Sequence, residues 1–162
     1  YEMSNPVFNE ISGKNIDIVL LNNGGIRSII SKGMISEKTA FELMPFENSI
    51  VVLELKGLSI NKMVDYLRKV KLQHPIRGIQ ITLNNDYSVN EVNINGNSID
   101  KEKSYFVATT DYLLQGGDKM YFLGESIKTT DINYKMRDIL IDYFKKYDTL
   151  KLKSDNRFIR IR

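Results

Sequence analysis

The sequence predicts a mixed α/β (α+β) fold, in which mixed sheets are flanked by helices, and three observations support it. Ser49–Leu55 is rich in Val, Ile and Leu, which is typical of a buried strand. The segment after Ser59 carries apolar residues at i, i+3, i+4 and i+7, which lie on one face of a helix. Asn95-Gly96 is the strongest hairpin signal in the chain. A hairpin beside helices favours a mixed fold over a strict alternation of strands and helices.

The first predicted elements have clear local signals. Ile16–Leu21 is a short apolar run and predicts a buried strand. Ser36 is a suitable N-cap for a helix that continues through Leu43, and Pro45 stops it. Gly57 ends the strand Ser49–Leu55. Residue 59 is then expected to cap the next helix, which should end near residue 70.

The second half of the chain predicts further strands and one long helix. Gly78–Leu83 alternates apolar and polar residues, Glu91–Ile94 leads into the Asn-Gly turn, and Ser104–Thr110 indicates a buried strand. Apolar residues recur at helical spacing over roughly Asn133–Tyr147. Arg157–Ile161 is predicted as the closing strand.

Composition sets limits on what the chain can be. With 162 residues and 42% hydrophobic content, residues 1–162 are expected to form a single domain with a real core. The net charge of +3 is spread along the chain, which predicts neither a nucleic-acid nor a membrane partner. The chain has no Cys, which excludes disulfides and Cys-ligated metals. It contains no apolar run long enough to predict a membrane span.

Three stretches at element boundaries carry side chains suited to a ligand. Asn22–Arg27 follows the first strand, Met44–Asn48 precedes the second, and Thr109–Asp118 follows the strand over 104–110. They offer an arginine, an aromatic ring, and an aromatic ring with a carboxylate. Loops on a rigid scaffold are where binding residues concentrate. We therefore expect the three stretches to belong to one site.

Together these stretches resemble the C-terminal, substrate-recognition domain of the 5′-nucleotidase and UDP-sugar hydrolase family. The family pattern contains Asn-Gly-Gly-Gly-Ile-Arg, then Pro-Phe-Gly-Asn before a strand, and later an aromatic residue followed by Gly-Gly-Asp. The corresponding stretches here read NNGGIR, PFEN and VATTDYLLQGGDKMYFL. Three matches in the family order are far more specific than any one of them.

The resemblance implies a nucleotide-binding role for this domain. In the family two aromatic rings sandwich the base, and those positions fall on Phe46 and Tyr112. The family carboxylate that binds the ribose hydroxyls corresponds to Asp118, and the arginine at the ribose–phosphate part corresponds to Arg27. The substrate-binding residues implied are Asn22, Gly24, Gly25, Arg27, Phe46, Asn48, Tyr112, Gly117 and Asp118. Asn22 and Asn48 correspond to polar contacts with base or sugar.

Without the resemblance, the same residues have structural interpretations. Phe46 would plug the core after a helix, and Tyr112 would be a core or rim residue. Asp118 would be an ordinary turn or cap residue, and Arg27 would pair with a nearby Glu. These alternatives remain open at this point.

The sequence also departs from the family pattern. Asn23 replaces a glycine, so the turn must tolerate a side chain, which Asn does more readily than most residues in the left-handed region. Glu47 stands where the family often has Gly and is expected either to repel phosphate or to face solvent. Lys119-Met120 replaces Gly followed by Tyr or Phe. The family's upstream arginines also have no counterpart before Arg27.

The resemblance places hydrolysis in a separate N-terminal metallophosphatase domain, which binds two divalent metals. The single histidine, His74, is predicted to lie in a loop without a catalytic role, and one histidine cannot build such a centre. We therefore predict no catalytic residues, metal ligands or cofactor in this chain. The expected partners are a nucleoside or nucleotide and a metallophosphatase domain or chain.

Two further expectations depend on the resemblance alone. A periplasmic or cell-surface location is implied because most family members reside there. The alternative function is a stand-alone, non-catalytic module that kept the fold to bind a ligand or a protein.

Overall fold

The structure is a computed structural model and describes residues 1–151 and 155–161. Its α-helices are α1 (Ser4–Ser12), α2 (Glu37–Leu43), α3 (Gly57–Leu67), α4 (Asp111–Leu114) and α5 (Met136–Lys146). Its strands are β1 (Ile18–Leu20), β2 (Ser49–Lys56), β3 (Ile76–Arg77), β4 (Ile79–Leu83), β5 (Val89–Ile94), β6 (Asn97–Ser98), β7 (Ser104–Thr110), β8 (Lys128–Lys135) and β9 (Phe158–Arg160). Short 3₁₀ segments cover Asn23–Gly25, Gly117–Lys119 and Tyr121–Glu125.

The larger sheet has the strand order β3-β1-β7-β2-β8. β1 runs parallel to β7, whereas β2 runs antiparallel to β7 with Ile50 opposite Thr110. β3 and β8 run antiparallel to their neighbours β1 and β2. The C-terminal ends of β1, β7 and β8 therefore lie at the same edge as the N-terminal ends of β2 and β3. We call this side of the sheet the loop edge.

The larger sheet is covered on both faces. Along β2, Leu53 lies in one buried cluster and its neighbour Val52 in another, which is the period of two that a strand imposes. The apolar face of α3 belongs to the first cluster, while Phe8 of α1 and Ile139 of α5 belong to the second. Burying one such side chain contributes roughly 1.5–3 kcal/mol. Both layers therefore stabilise the sheet that carries the loop edge.

The smaller sheet has the order β6-β5-β4-β9, with β9 parallel to β4. Asn95 and Gly96 join β5 to β6 with φ of 50° and 81°, so the predicted hairpin turn is confirmed. Gly78 lies between β3 and β4, where the chain passes from one sheet to the other. Its φ is +81°, and a Cβ there would lie 1.9 Å from the carbonyl oxygen of Asp17. Only glycine fits at this crossing.

The predicted mixed α/β class is confirmed, and the strand over 104–110 matches β7 to the residue. The first predicted helix corresponds to α2, with Ser36 as its N-cap as predicted. The cap of α3 was predicted wrongly, because its N-cap is Lys56 and the helix ends at Leu67. The hydroxyl of Ser59 instead donates to the carboxylate of Glu125 at 2.7 Å.

The last helix begins later than the sequence predicts. Residues 133–135 belong to β8, which pairs with β2 as the outer strand of the larger sheet. Within β8, Asn133 has a φ of 50°, beside a register shift opposite Ser49 and Val51. This bulge breaks the alternation by which a strand is recognised in sequence. The sequence also failed to predict α1 and β3.

Candidate functional site

The three predicted stretches lie together at the loop edge. The first follows β1, the second precedes β2, and the third follows β7. The backbone N–H of Arg27 donates to the carbonyl oxygen of Leu43 at 2.9 Å, directly before the second stretch. The side-chain amide of Asn48 donates to the carboxylate of Asp111 at 3.0 Å. Hydrogen bonds thus join the second stretch to the third, and the first stretch to the residue directly before the second.

The first stretch forms a 3₁₀ turn over Asn23–Gly25. The backbone N–H of Asn23 donates to Nδ1 of His74, and its Nδ2 donates to the carbonyl oxygen of Gln73, both at 3.2 Å. Asn23 is not among the residues with positive φ, so the left-handed conformation suggested by its residue type was wrong. The segment before β3 holds its side chain instead.

The two glycines of the first stretch have different surroundings. A Cβ on Gly25 would lie 3.0 Å from Oδ1 of Asn22, whereas Gly24 is exposed with its nearest such contact at 3.8 Å. Neither glycine has a positive φ. Gly25 is therefore explained by its small size, because the carboxamide of Asn22 lies close against it.

The guanidinium of Arg27 is exposed and makes one long contact, from Nη1 to the carbonyl oxygen of Gly24 at 3.4 Å. Among the described residues, the arginines in ion pairs are Arg68, Arg77, Arg137 and Arg157. The structural interpretation in which Arg27 pairs with a nearby Glu is therefore not supported. Its charge remains available to an anionic group.

Phe46 lies in the second stretch with 44% of its surface exposed, whereas Met44 is buried. Met44 therefore fills the core after α2, and Phe46 does not plug it. The backbone carbonyl of Asn48 accepts from the N–H of Met136 at 2.9 Å. Together with its bond to Asp111, this contact fixes both the backbone and the side chain of Asn48.

Glu47 has two cationic partners from the junction of β8 and α5. It forms ion pairs with Lys135, at 2.5 Å, and with Arg137. Hydrogen bonds from Lys135 and then Arg137 lower the pKa of Glu47 from its ordinary value. Of the two expectations for Glu47, its side chain is exposed to solvent, and any repulsion of phosphate is reduced because these partners compensate the carboxylate charge.

The third stretch presents Tyr112 from the first turn of α4. Thr110 caps this helix, since its hydroxyl accepts from the N–H of Leu113 at 3.3 Å. Tyr112 is 42% exposed, and its hydroxyl donates to Oδ1 of Asp118 at 3.0 Å. A Cβ on Gly117 would lie only 2.5 Å from the ring of Tyr112. The position of this ring therefore requires glycine at 117.

Asp118 lies in a constrained backbone segment. Asp118 and Lys119 have φ of 51° and 61°, and successive non-glycine residues in this region are uncommon. The hydroxyl of Tyr66 donates to the backbone oxygen of Asp118 at 2.8 Å and stabilises the turn. Lys119 stands where the family pattern has glycine, and its left-handed backbone shows why glycine suits that position.

Sequence reasoning missed Tyr66 and the structural role of His74, which together join the first stretch to the third. The two rings pack with centroids 5.8 Å apart, and each also binds one stretch. Burial lowers the pKa of His74, against the opposing effect of Asp118. A neutral imidazole has a lone pair on Nδ1 to accept from Asn23. The available signals were weak: a histidine before Pro75, and a tyrosine beside the apolar face of α3.

The rest of the described chain offers little that resembles a second site. In residues 1–151 and 155–161, no group of three or more His, Cys, Asp or Glu side chains is placed to hold a metal ion. Two surface depressions, of about 590 and 690 Å³, are lined by none of the nine predicted residues. No helix in the described ranges has the length and apolar character needed to cross a membrane.

Comparison with known proteins gives consistent matches. The family model for the 5′-nucleotidase, C-terminal domain matches residues 4–125. Protein UshA of Escherichia coli is 32% identical over 108 residues, which cover 63% of this chain and 19% of UshA. The trifunctional nucleotide phosphoesterase protein YfkN of Bacillus subtilis is 32% identical over 143 residues, which cover 80% of this chain and 10% of YfkN.

Solved structures share the fold. The 5′-nucleotidase precursor of Thermus thermophilus superposes with a TM-score of 0.83 at 23% identity, covering 98% of this chain and 34% of that one. The NAD nucleotidase of Haemophilus influenzae gives 0.67 at 20% identity, covering 81% of this chain and 27% of that one. This chain therefore spans about a third or less of these longer relatives. With the family model matching most of its residues, the chain belongs to the 5′-nucleotidase C-terminal domain family.

Proposed function

We propose that this chain binds nucleosides or nucleotides, as the recognition domain of a 5′-nucleotidase-like phosphohydrolase. The observation that carries the proposal is the meeting of three loops at one sheet edge, each with a ligand-suited side chain left accessible. Phe46 and Tyr112 both adjoin buried strands of the larger sheet, yet each keeps more than two fifths of its surface exposed. The base stacks between these rings, at about 1–3 kcal/mol for each stacking contact.

Asp118 binds the ribose hydroxyls in this proposal. Its Oδ1 accepts from Tyr112, while Oδ2 has no protein donor among the described residues. An ionised carboxylate is an acceptor only, so the second oxygen suits a ribose hydroxyl. The bond from Tyr112 therefore couples the ring that stacks on the base to the group that binds the sugar.

Arg27 binds the phosphate side of the ligand through its accessible guanidinium. Asn48 offers its side-chain oxygen and the second hydrogen of its amide nitrogen, since the nitrogen makes one hydrogen bond, to Asp111. Asn22 contacts base or sugar beside Gly24 and Gly25 of the same turn. These roles follow the family pattern.

Hydrolysis in the parent protein is proposed to occur in a metallophosphatase domain, whose two divalent metals polarise the phosphoryl group and activate water. Residues of this chain supply recognition. The relatives include a 5′-nucleotidase-related protein of Glossina morsitans morsitans and the trifunctional nucleotide phosphoesterase protein YfkN, and these names support phosphoryl esters as the substrate class. A periplasmic or cell-surface location is part of the same proposal.

Isothermal titration with adenosine and AMP tests the binding proposal. Dissociation constants in the millimolar range or tighter are expected, with binding lost in Phe46→Ala. Tyr147→Ala is the matched control, because Tyr147 is also an exposed aromatic but follows the far end of α5. Absence of both heat and amide chemical-shift changes at millimolar ligand would refute the proposal.

A phosphate-release assay tests where catalysis resides. The chain alone, with AMP and Mn²⁺, is expected to release no phosphate above the buffer rate. Robust turnover by the purified chain would show that this proposal assigns the chemistry to the wrong domain.

A further inference from the structure

Arg137 at the start of α5 contacts the second stretch on both sides of Phe46. Its Nη1 donates to the carbonyl oxygen of Pro45 at 3.2 Å, and its Nη2 donates to the carboxylate of Glu47. Pro45 and Glu47 are the two chain neighbours of Phe46. One planar guanidinium therefore bridges the residues that flank the proposed stacking ring.

The surroundings of Arg137 differ from those of a surface arginine. Its side chain is only 10% exposed, and its guanidinium lies 4.2 Å from the ring centroid of Phe41 on α2. A buried charge is costly unless it is well paired, so removing its partner is strongly unfavourable. These contacts restrict Arg137 to one arrangement, and with it the backbone around Phe46.

Two neighbouring residues add to this contact. Lys135 forms the second ion pair with Glu47 at 2.5 Å, and the N–H of Met136 donates to the carbonyl oxygen of Asn48 at 2.9 Å. Three consecutive residues at the junction of β8 and α5 thus bind the stretch from Pro45 to Asn48. This contact joins the segment before β2 to the junction of β8 and α5, both of which lie at the loop edge.

We propose that Arg137 is a positioning residue of the nucleotide site, which fixes the loop carrying Phe46 through Pro45 and Glu47. The proposal rests on the nucleotide-binding function above. It also explains Glu47, which departs from the family pattern: here the carboxylate serves as the attachment point for Arg137. A loop fixed before binding loses less freedom on binding, which increases affinity.

The position of the loop can be measured without any ligand. 4-Fluorophenylalanine placed at position 46 reports the surroundings of that ring by ¹⁹F NMR. In Arg137→Met the ¹⁹F resonance is expected to move toward that of the free amino acid and to narrow. Arg137→Lys, which keeps the charge but not the planar fork, should restore part of the shift. Arg68→Met is the control, since Arg68 is a partly buried, ion-paired arginine that contacts Asp65 rather than this loop.

Adenosine affinity gives the second measurement. Arg137→Met should weaken binding about tenfold, with an intermediate loss in Arg137→Lys and no change in Arg68→Met. An unchanged ¹⁹F resonance in folded Arg137→Met would overturn the proposal. If that variant does not fold, Glu47→Gln tests the proposal by the same two measurements. This change removes the ion pairs of Glu47 but keeps the contact between Arg137 and the carbonyl oxygen of Pro45. Failure of the unmodified chain to bind adenosine would refute the nucleotide function, while the ligand-free resonance would still test the role of Arg137.

Discussion

The first and second stretches lie side by side at the loop edge but are held by different interactions. The first stretch is held by neutral hydrogen bonds from Asn23 to the segment before β3. The second is held by ion pairs between Glu47 and the start of α5. Neutral bonds and ion pairs respond differently to truncation, pH and salt. We therefore expect truncation, pH and salt to affect the first and second stretches differently.

The largest effect is expected from truncating Tyr66, which packs on His74, the residue that accepts a hydrogen bond from the first stretch. Tyr66→Ala removes a ring that packs on His74 and Phe122 and a hydroxyl that binds Asp118. Because the ring is only half-buried, we expect a loss of about 2–3 kcal/mol in the free energy of unfolding. Tyr66→Phe, which keeps the ring, should lose about 1 kcal/mol. Urea unfolding measures both, and equal losses in the two variants would contradict a packing role for the ring.

Gly117→Ala tests the third stretch, whose two site residues meet across that glycine. The added methyl group would lie 2.5 Å from the ring of Tyr112, so the ring must move, which disturbs its hydrogen bond to Asp118. Adenosine affinity should fall about tenfold, or about 1.4 kcal/mol. Gly124→Ala is the control, because nothing lies within 4 Å of its added Cβ. An equal affinity in both variants would show that the ring position does not matter for binding.

Lys119→Gly is expected to stabilise the protein. The φ of 61° at Lys119 costs a non-glycine residue about 1–2 kcal/mol. Glycine removes this cost in the folded state, but its greater conformational freedom in the unfolded chain offsets part of the gain. The expected net gain is about 0.5–1 kcal/mol by urea unfolding. Lys32→Gly, at a position without positive φ, should give no gain. A gain of the same size in both variants would mean that the backbone of Lys119 is not strained.

Local sequence signals predicted the elements that their own residues specify. Ser36 and Pro45 mark the two ends of α2, and Ser104–Thr110 is rich in the aromatic and β-branched residues that favour a strand. The β8 strand was missed because it is the outer strand of its sheet and contains a bulge at Asn133. Its pairing depends on β2, which lies far away in sequence.

The same distinction holds for the candidate site. The motifs supplied the residues that are proposed to touch a ligand, since those lie within short contiguous stretches. They did not identify Tyr66, His74 or Arg137, each of which acts on a stretch distant in sequence. Supporting contacts of this kind depend on the topology of the loop edge, which no single stretch records.

The smallest effect expected is a pH dependence of the first stretch, which is bound by His74. Burial holds the pKa of His74 below its ordinary value of 6.5, so the unfolded chain binds a proton more readily than the folded one. The stability contributed by neutral His74 is therefore complete above pH 6.5 and is lost as pH falls toward the lowered pKa. Thermal unfolding at pH 7.5, 6.5 and 5.5 should show this loss, and the amide resonance of Asn23 should shift with it. His74→Asn, which does not titrate, should lack the shift of the Asn23 amide and show a smaller loss of stability, since burial also lowers the pKa of the N-terminal amine of Tyr1, which still titrates.

The ion pairs of Glu47 should give the second stretch the opposite response to pH and salt. Its pKa is lowered from 4.5, so the contribution of its ion pairs is present throughout pH 5.5–7.5 and declines only in more acidic solution. Salt screens exposed ion pairs but has little effect on neutral hydrogen bonds. Raising the salt concentration at pH 7.5 should therefore move the ¹⁹F resonance at position 46 while the amide of Asn23 stays unchanged. Joint movement of both signals under either condition would show that the two stretches respond as one unit.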